Sequence, residues 1–313
     1  MKIFVKDLKD GDFITDEVFS VEEVQMHKTR AQNPYYRLVL QDRTGEVSAK
    51  IWQDDFPNCH IKNLESGDVV KVDAQIQSYN DQLQMILKKL DKTEDYDISD
   101  LVQSTDKDLE KMYSQLLAVI NDVKSKDLKN LLKDIFGDEV FVKKYKRAPA
   151  AEKVHHDFVG GLLEHTLEML DMSEPLLKSY PEADKDLVVA GIILHDIGKL
   201  EELALKKTAI IRTTKGRLIG HLVLGIDLTR DHLPKEFPDE LWMKLEHIII
   251  SHQGELENGS PIKPATIEAA IVHFVDHASS QIRQFQKAIK LGEGRDPGFS
   301  EWQKWIGTQV YLD

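Results

Sequence analysis

Histidines are distributed very unevenly along this chain, and their distribution constrains its fold and function more than any other feature. Ten of the 12 histidines lie between positions 155 and 277. Histidine is neither a good core residue nor a strong helix former, so a cluster of this density indicates a binding or catalytic role. Cys59 is the one cysteine, which excludes an intrachain disulfide and a thiolate metal cage. The cytoplasm is therefore the expected compartment.

The first 90 residues show the alternation of apolar and polar side chains that is typical of β-strands. Two predicted hairpins follow a strand near Val18–Met26, and their turns fall at Asp42–Gly45 and Tyr79–Gln82. The alternating apolar positions are Tyr36, Leu38, Leu40, Val47, Ala49 and Ile51 in the first hairpin, and Val70, Val72, Ala74, Ile76, Leu83, Met85 and Leu87 in the second. Five short strands in succession predict a small closed barrel.

From about residue 107 the periodicity becomes helical, because apolar residues recur at three-to-four-residue spacing from Leu109 to Ile120. The predicted organisation is multidomain, with a β domain over residues 1–90, an acidic linker over 91–106 and a helical domain over 107–313. The core of the helical domain is expected at about 150–290. One exception is Ala209–Ile219, where Thr214–Arg217 is predicted to be a tight turn between two short extended pieces.

Two of the candidate metal-binding positions stand out because acids interrupt apolar helices. His195 and Asp196 follow the apolar run Leu187–Leu194, so they enter a buried neighbourhood where a charge is costly without a partner. A metal ion is the simplest partner. Asp276 interrupts a second apolar helix, and it is also compatible with a structural role as the cap of a neighbouring helix.

Three histidines complete the candidate set. His165 lies at the edge of an apolar helix face, a position that taken alone favours a structural role over metal binding. His221 opens a predicted helix after a glycine, and His252 closes one before a glycine. His247 and His252 are separated by about 140° around a helix, so one of the two is expected to face a shared site, and we prefer His252.

Ligands of the His and Asp type, without cysteine, suit Mn, Fe, Ni or Mg better than structural Zn. A carboxylate beside a histidine can bridge two ions, which together can activate water and stabilise the leaving oxygen of a phosphodiester. Asp196 is therefore a candidate catalytic residue. Lys199, one turn further on, can neutralise charge on a phosphate, although it is equally compatible with a solvated lysine at a helix C-terminus.

The order His165, His195-Asp196, Asp276, with the string HDIGK from His195, resembles the HD superfamily of phosphohydrolases. A closer resemblance is to the YhaM family, which are bacterial 3′→5′ exoribonucleases and relatives of a CMP-binding factor. It rests on the segments HHDFVGGLLEHT from His155, GHLVLG from Gly220, SHQGELENGSPIKP from Ser251 and TIEAAIVHFVDH from Thr266. Members of that family carry an OB-fold of the tRNA-anticodon-binding type followed by an HD domain, so the resemblance covers nearly the whole chain.

The resemblance implies a Mn²⁺-dependent exonuclease on single-stranded RNA, with single-stranded DNA as a further substrate and one or two divalent ions in the site. It implies that the first metal is held by four residues, His165, His195, Asp196 and Asp276. His221 and His252 are implied as ligands of a second ion. The chain departs from the family at Gln253, where a second consecutive histidine is expected, and glutamine is a poor ligand for these metals.

An exonuclease must also hold its strand. The net charge of −13 argues against attraction of nucleic acid by the chain as a whole, but an OB-fold needs only aromatic platforms and a few cations. The outward-facing candidates in the β domain, each also compatible with plain surface, are Tyr35, Arg37, Lys50, Trp52 and Tyr79. The densest basic cluster, a candidate backbone track or a solvated helix end, is Lys143, Lys144, Lys146 and Arg147.

Two other functions stay open on the sequence. An HD-type hydrolase of nucleotides or cyclic dinucleotides would have little use for an OB-like half. A non-catalytic regulator that binds single-stranded nucleic acid would not need the complete set of candidate ligands. No run of about 18 apolar residues is present, so no membrane span is expected. The aromatic stretch Phe299–Trp305 is expected to dock on the core or on another subunit.

Overall fold

The computed structural model describes residues 2–29, 31–79, 82–152, 156–291 and 298–312. The chain divides into two compact units. One comprises Met1–Ser104 with Leu205–Ile211, and the other comprises Thr105–Ala204 with Arg212–Asp313. The first unit is the barrel and the second is helical.

The barrel is closed and has five strands, as the alternation predicted. The strands are β1 (Phe13–Lys28), β2 (Pro34–Asp42), β3 (Gly45–Trp52), β4 (Val69–Tyr79) and β5 (Gln82–Lys92), and they are hydrogen-bonded in the order β1-β2-β3-β5-β4. The β2–β3 turn forms where it was expected, because Asp42 Oδ1 accepts hydrogen bonds from both the N–H and the hydroxyl of Thr44. The centre of the turn expected at Tyr79–Gln82, Asn80-Asp81, lies outside the described residues.

The barrel core follows directly from the alternation of side chains along the strands. Leu38 and Leu40 on β2 face inward, as do Ala49 and Ile51 on β3, and all four are fully buried. Beyond β5, a short 3-10 helix spans Ile98–Asp100.

The second unit is built from ten described helices. They are α1 (Leu109–Asp122), α2 (Lys126–Ile135), α3 (Glu139–Tyr145), α4 (Gly161–Ser179), α5 (Lys185–Leu194), α6 (Lys199–Glu202), α7 (Thr214–Ile219), α8 (His221–Asp231), α9 (Asp239–Ser251) and α10 (Ile267–Leu291). Every residue from Leu187 to Leu194 is buried, so α5 is a central helix, and it packs against α4, α9 and α10. None of the helices in the described part of the chain combines the length and hydrophobicity needed to cross a bilayer.

The turn predicted at Thr214–Arg217 is wrong. The reversal lies earlier, where Lys207 adopts a left-handed φ of 56° between β6 (Leu203–Lys206) and β7 (Ala209–Arg212), which pair as a two-stranded sheet. Residues Thr214–Ile219 form helix α7 instead, because the Thr213 side chain accepts a hydrogen bond from Gly216 N and caps the helix. Glycine at 216 suggested a turn, but Gly216 lies against the backbone of Glu202, where a Cβ would be 2.4 Å from the Glu202 carbonyl oxygen.

Candidate metal centre and nucleic-acid surface

Five helices bring the six candidate ligands of the helical unit together. His165 lies near the start of α4, His195 and Asp196 directly follow α5, and His221 is the first residue of α8. His252 directly follows α9, and Asp276 lies in α10. Helix ends supply four of the six residues, which lets side chains from separate elements meet at one point.

Asp196 is the centre of this cluster, and its two oxygens face different histidines. Oδ2 lies 3.3 Å from His195 Nε2 and 4.0 Å from His165 Nε2. Oδ1 lies 3.5 Å from His221 Nε2 and 3.6 Å from His252 Nε2. Asp276 joins on the Oδ2 side, because its Oδ1 lies 3.2 Å from His165 Nε2. Asp196 thus lies between two groups of histidines, and a carboxylate in such a position could be shared by two cations.

All four histidines present the same nitrogen, Nε2, to this cluster, because the other ring nitrogen is engaged elsewhere. His195 Nδ1 lies 2.7 Å from the Ile192 carbonyl oxygen, and His252 Nδ1 lies 2.7 Å from that of Ile249. A carbonyl only accepts, so both Nδ1 atoms carry the proton and both Nε2 atoms carry a lone pair.

The other two histidines have side-chain partners at Nδ1. For His221 the partner is the Glu202 carboxylate at 3.1 Å, and for His165 it is the Ser279 hydroxyl at 3.2 Å. Outer partners of this kind are typical of histidines that ligate metals.

A divalent cation fits this donor set. His195 Nε2 and Asp196 Oδ1 are buried atoms without a hydrogen-bond partner among the described residues, which is costly unless a cation lies between them. Two triads, each with ligand atoms within 4.8 Å of one another, can hold an ion: His165 with His195 and Asp276, and His195 with Asp196 and His252. Oxygen and imidazole donors without thiolate suit Mn²⁺, Fe²⁺ or Mg²⁺.

The electrostatics of the cluster favour carboxylates that stay ionised. Burial would raise the pKa of Asp196, but the charges of Lys199 and His195 outweigh it and hold this pKa well below its usual range. The pKa of Asp276 is likewise lowered, because its interactions with the His165 and His195 rings outweigh burial. Burial lowers the pKa of His165 and His252. The pKa of His195 is raised, since the charge of Asp196 exceeds the effect of burial.

Lys199 lies inside the same cluster. It is the first residue of α6, and its Nζ is 2.5 Å from Asp196 Oδ2. The alternative of a solvated lysine at a helix C-terminus is therefore wrong. The Lys199 side chain is only 12% exposed, and the residue is the first of α6.

Gly198, between the His-Asp pair and Lys199, allows α8 to approach. Its φ of −64° is ordinary, so the glycine is not needed for backbone conformation. A Cβ at this position would lie 2.0 Å from the His221 carbonyl oxygen and 2.5 Å from Gly225 N. The absence of a side chain at Gly198 thus lets the first turn of α8, and with it His221, lie beside Asp196.

Two neighbouring positions resolve sequence ambiguities. His247 Nε2 accepts a hydrogen bond from Ala265 N, so of the two α9 histidines it is His252 that lies in the cluster. Gln253, at the position where the resemblance led us to expect histidine, lies with its Nε2 3.0 Å from His221 Nε2. The outer partners Glu202 and Ser279 were missed in the sequence, because each lies in a different helix from the histidine that it contacts.

The candidate nucleic-acid contacts of the barrel form one surface. Tyr35 pairs with Trp52 and Arg37 pairs with Lys50 across β2 and β3. The Tyr35 and Trp52 rings are 5.2 Å apart, and Lys50 Nζ lies 5.8 Å from the Trp52 ring and 5.3 Å from the Tyr79 ring. Arg37, Trp52 and Tyr79 are exposed. Aromatic faces with interleaved cations are what OB-folds use to stack bases of a single strand.

The basic cluster of α3 is different, because acids neutralise part of it. Lys144 Nζ lies 2.9 Å from Glu201, and Lys146 Nζ lies 2.5 Å from Glu110 and 5.4 Å from the Tyr113 ring. Lys143 and Arg147 are exposed. The structure brings none of the four into the His/Asp cluster, and their role as a backbone track stays a prediction.

Two family models match this chain. Residues 162–280 match the HD domain, and residues 14–92 match an OB-fold nucleic acid binding domain of the tRNA anticodon type. The chain thus consists of a five-stranded OB-like barrel followed by a helical HD domain. The HD domain indicates a metal-dependent phosphohydrolase, and the combination indicates one that acts with nucleic acid.

Solved structures similar to parts of the chain are distant. A domain of replication protein A from Methanococcus maripaludis is 17% identical, with a TM-score of 0.25, and the match covers 29% of this chain and 94% of that one. The mitochondrial single-stranded DNA binding protein Rim1 from S. cerevisiae is 16% identical, with a TM-score of 0.22 and coverage of 27% and 97%. These scores are too low to carry a functional comparison.

Proposed function

We propose that this protein is a Mn²⁺-dependent 3′→5′ exoribonuclease that removes nucleoside monophosphates from single-stranded RNA in the cytoplasm. The observation that carries the proposal is the buried cluster in which the Nε2 atoms of four histidines meet the carboxylates of Asp196 and Asp276. The same chain also has a barrel surface with exposed aromatic and cationic side chains. The resemblance to the YhaM family supports the substrate, the polarity and the metal.

In this proposal Asp196 would be shared by two groups of metal ligands. His165, His195 and Asp276 would hold one divalent ion together with Asp196, and His221 and His252 would serve as ligands of a second ion. A bound divalent ion would supply Lewis-acid activation of a water molecule and of the phosphate oxygens.

The charged side chains of the site would then orient the substrate phosphate and neutralise its charge. Lys199 Nζ, within 2.5 Å of Asp196, is placed to pair with a phosphate oxygen when cations satisfy the carboxylate. The ionised carboxylates of Asp196 and Asp276 can only accept hydrogen bonds, so they bind cations and repel a bare phosphate. A metal-free site is therefore expected to bind substrate poorly.

The barrel surface would bind the strand through base stacking rather than base reading. Tyr35, Trp52 and Tyr79 offer ring faces. Lys50 contacts the Trp52 and Tyr79 rings, and Arg37 pairs with Lys50 across the two strands. Stacking tolerates any base, which suits an enzyme that must pass along an arbitrary sequence. Lys143, Lys144, Lys146 and Arg147 are proposed as weaker contacts to the phosphate backbone.

The test uses 5′-labelled single-stranded RNA with Mn²⁺, with and without chelator, beside the variant Asp196→Ala. We expect a ladder that shortens from the 3′ end and is absent with chelator and in the variant. An Asp171→Ala variant is the control, because Asp171 is an exposed acid on α4. A matched DNA strand compares the two sugars.

The contrary outcomes discriminate the alternatives. Metal-dependent hydrolysis of nucleotides or cyclic dinucleotides without shortening of RNA would replace the exonuclease with a small-molecule phosphohydrolase. Tight binding of the strand without hydrolysis of any of these substrates would favour a non-catalytic regulator.

A further inference from the structure

A chain of side-chain hydrogen bonds begins at the Nδ1 atom of His165 and leads away from the candidate metal ligands. His165 Nδ1 lies 3.2 Å from the Ser279 hydroxyl of α10. The Ser279 hydroxyl lies 3.0 Å from Glu168 Oε1 of α4. His165 and Ser279 are both fully buried. These two hydrogen bonds thus join three residues from two helices.

The direction of these hydrogen bonds follows from elementary chemistry. An ionised carboxylate only accepts, and a serine hydroxyl has a single proton to donate. Ser279 therefore donates to Glu168 and must accept from His165. The proton of the His165 ring is then on Nδ1, and its lone pair is on Nε2, the atom 3.2 Å from Asp276 Oδ1.

Glu168 is held ionised and in place by Arg283. The Nε and Nη2 atoms of Arg283 lie 3.0 and 2.5 Å from Glu168 Oε2, which leaves Oε1 for Ser279. Burial would raise the pKa of Glu168, but its interactions with His156 and Arg283 outweigh burial and lower this pKa to about 2. The Glu168 carboxylate is thus an acceptor for the Ser279 hydroxyl.

A second carboxylate, that of Glu164, also binds Arg283 but takes no part in the hydrogen bonds that lead from His165 to Glu168. Arg283 Nη2 lies 3.1 Å from Glu164 Oε1, and Glu164 also accepts a hydrogen bond of 2.5 Å from the Thr105 hydroxyl. Lys107 Nζ lies 3.2 Å from Glu164 Oε1. Glu164 has the charge and the arginine contact of Glu168, but it has no contact with Ser279, which makes it a matched control.

We propose that Ser279 and Glu168 are positioning residues that fix the ring proton of His165 on Nδ1 and so present Nε2 to the metal. The inference rests on the proposed metal-dependent function. The Nδ1 atoms of His195 and His252 contact backbone carbonyls, which no substitution removes, and Nδ1 of His221 contacts the Glu202 carboxylate. Among the four described histidines of the cluster, His165 is the one whose Nδ1 contacts a hydroxyl. Removing that one oxygen atom, in Ser279→Ala, therefore tests the role of Ser279.

The first measurement is the affinity of the full chain for Mn²⁺ by isothermal titration calorimetry. We expect Ser279→Ala to weaken binding by about 10- to 100-fold, the usual effect of losing an outer partner of a metal ligand. Ser173→Ala is the control, since Ser173 is equally buried and its hydroxyl donates to the Leu170 carbonyl on α4. Glu168→Gln should weaken binding, whereas Glu164→Gln should change it less than threefold.

The second measurement reads the tautomer directly in the metal-free protein. Long-range ¹H–¹⁵N spectra of protein labelled at histidine distinguish a ring protonated on Nδ1 from one protonated on Nε2. The His165 resonances, assigned by their loss in His165→Gln, should report the Nδ1-H form in the wild type. Ser279→Ala should give a mixture of tautomers, an effect that a purely structural serine would not produce.

The outcomes separate this inference from the function on which it rests. A wild type in which His165 carries its proton on Nε2, or a Ser279→Ala variant that binds Mn²⁺ as the wild type does, overturns the positioning role. A wild type that binds no divalent ion overturns the proposed function, and the metal-free spectra still decide whether Ser279 sets the tautomer. Folding of each variant is checked by its thermal unfolding beside Ser173→Ala.

Discussion

Asp68 of the barrel and Asp196 of the helical unit are both buried carboxylates, 2% and 3% exposed, yet their surroundings differ. Asp68 receives Lys92 Nζ at 2.6 Å, Lys207 Nζ and the backbone N–H of Glu65 at 2.8 Å. Asp196 receives one lysine at 2.5 Å, and the nearest ring nitrogens are 3.3 Å away or more.

The difference separates a satisfied charge from an unsatisfied one. Cations and a backbone donor already contact both oxygens of Asp68, so this residue stabilises the fold and needs no ligand. Oδ1 of Asp196 has no hydrogen-bond partner among the described residues, so its burial is explained best by a cation that binds there. Burial alone does not identify a functional acid, whereas burial with incomplete pairing does.

The same change, aspartate to asparagine, can be made separately at Asp196 and at Asp68, and the largest loss of activity is expected at Asp196. Asp196→Asn should lower hydrolysis by a factor of roughly 10³ or more, because a neutral amide can neither bridge cations nor balance Lys199. Thermal stability should change little, since removal of a buried charge offsets the loss of its ion pair with Lys199. Initial rates on labelled RNA, with Mn²⁺ varied, measure the loss. A rate within tenfold of the wild type would mean that Asp196 is not central to the chemistry.

A smaller loss of activity is expected at Glu202, which contacts the candidate ligand His221 and is not itself a candidate ligand. Glu202→Gln should weaken activity and metal affinity by about 10- to 100-fold, because the carboxylate that orients His221 is lost. Glu201→Gln is the matched control, since Glu201 contacts Lys144 and Lys215 instead. Titration of activity with Mn²⁺ should show a higher metal requirement only in the first variant. Equal behaviour of the two variants would remove His221 from the site.

The barrel surface should affect binding rather than chemistry. Trp52→Ala should weaken binding of single-stranded RNA by about tenfold, since one base–aromatic stack contributes about 1–3 kcal/mol. Phe13→Ala is the control, because Phe13 is an exposed aromatic of β1 with no described contact to the Tyr35, Trp52 or Tyr79 rings. Fluorescence anisotropy with chelator present separates binding from cleavage. Equal affinity of the two variants would place the strand elsewhere.

The smallest effect on hydrolysis is expected at Asp68. Burial would raise the pKa of this carboxyl, but hydrogen bonds from Lys207 and Lys92 lower it to about 2. A lowered folded-state pKa contributes stability that is present above about pH 4 and is lost as the pH falls towards 2. The loss should be about 1–2 kcal/mol, because the two lysines are half exposed and solvent weakens the pairs.

Asp68→Asn tests this assignment. The variant should lower the free energy of unfolding at pH 7 by a similar amount and flatten its dependence on pH between 4 and 2, with activity at 25 °C unchanged. Urea unfolding at several pH values checks it. A drop in activity without a change in stability would reverse the contrast with Asp196.

Local pattern was sufficient for much of the fold. Alternation in Leu38–Leu40 and Ala49–Ile51 marks the inward faces of β2 and β3, since a strand buries every second residue whatever lies beyond it. The run Leu187–Leu194 marks a central helix for the same kind of reason. The six candidate ligands were also expected to form one site, because their order and spacing resemble those of the HD superfamily and acids interrupt two apolar helices there.

What could not be anticipated depends on contacts between distant segments. The partner of His221 is Glu202, and the partner of His165 is Ser279, and no periodicity links these pairs. Lys144 and Lys146 read as a basic cluster because Glu201 and Glu110, which pair with them, are far away in the chain. At Gly216 a turn was expected from composition, whereas a close approach to Glu202 requires the glycine.

Gly198 has a consequence for how this protein can evolve. Any side chain at that position would have to displace the first turn of α8, and His221 would move with it. The position of the histidine therefore depends on a glycine that offers no ligand atom of its own, and we expect relatives that lose one of the two to be free to lose the other. A mutational scan should find position 198 as intolerant as the histidine itself, even to alanine.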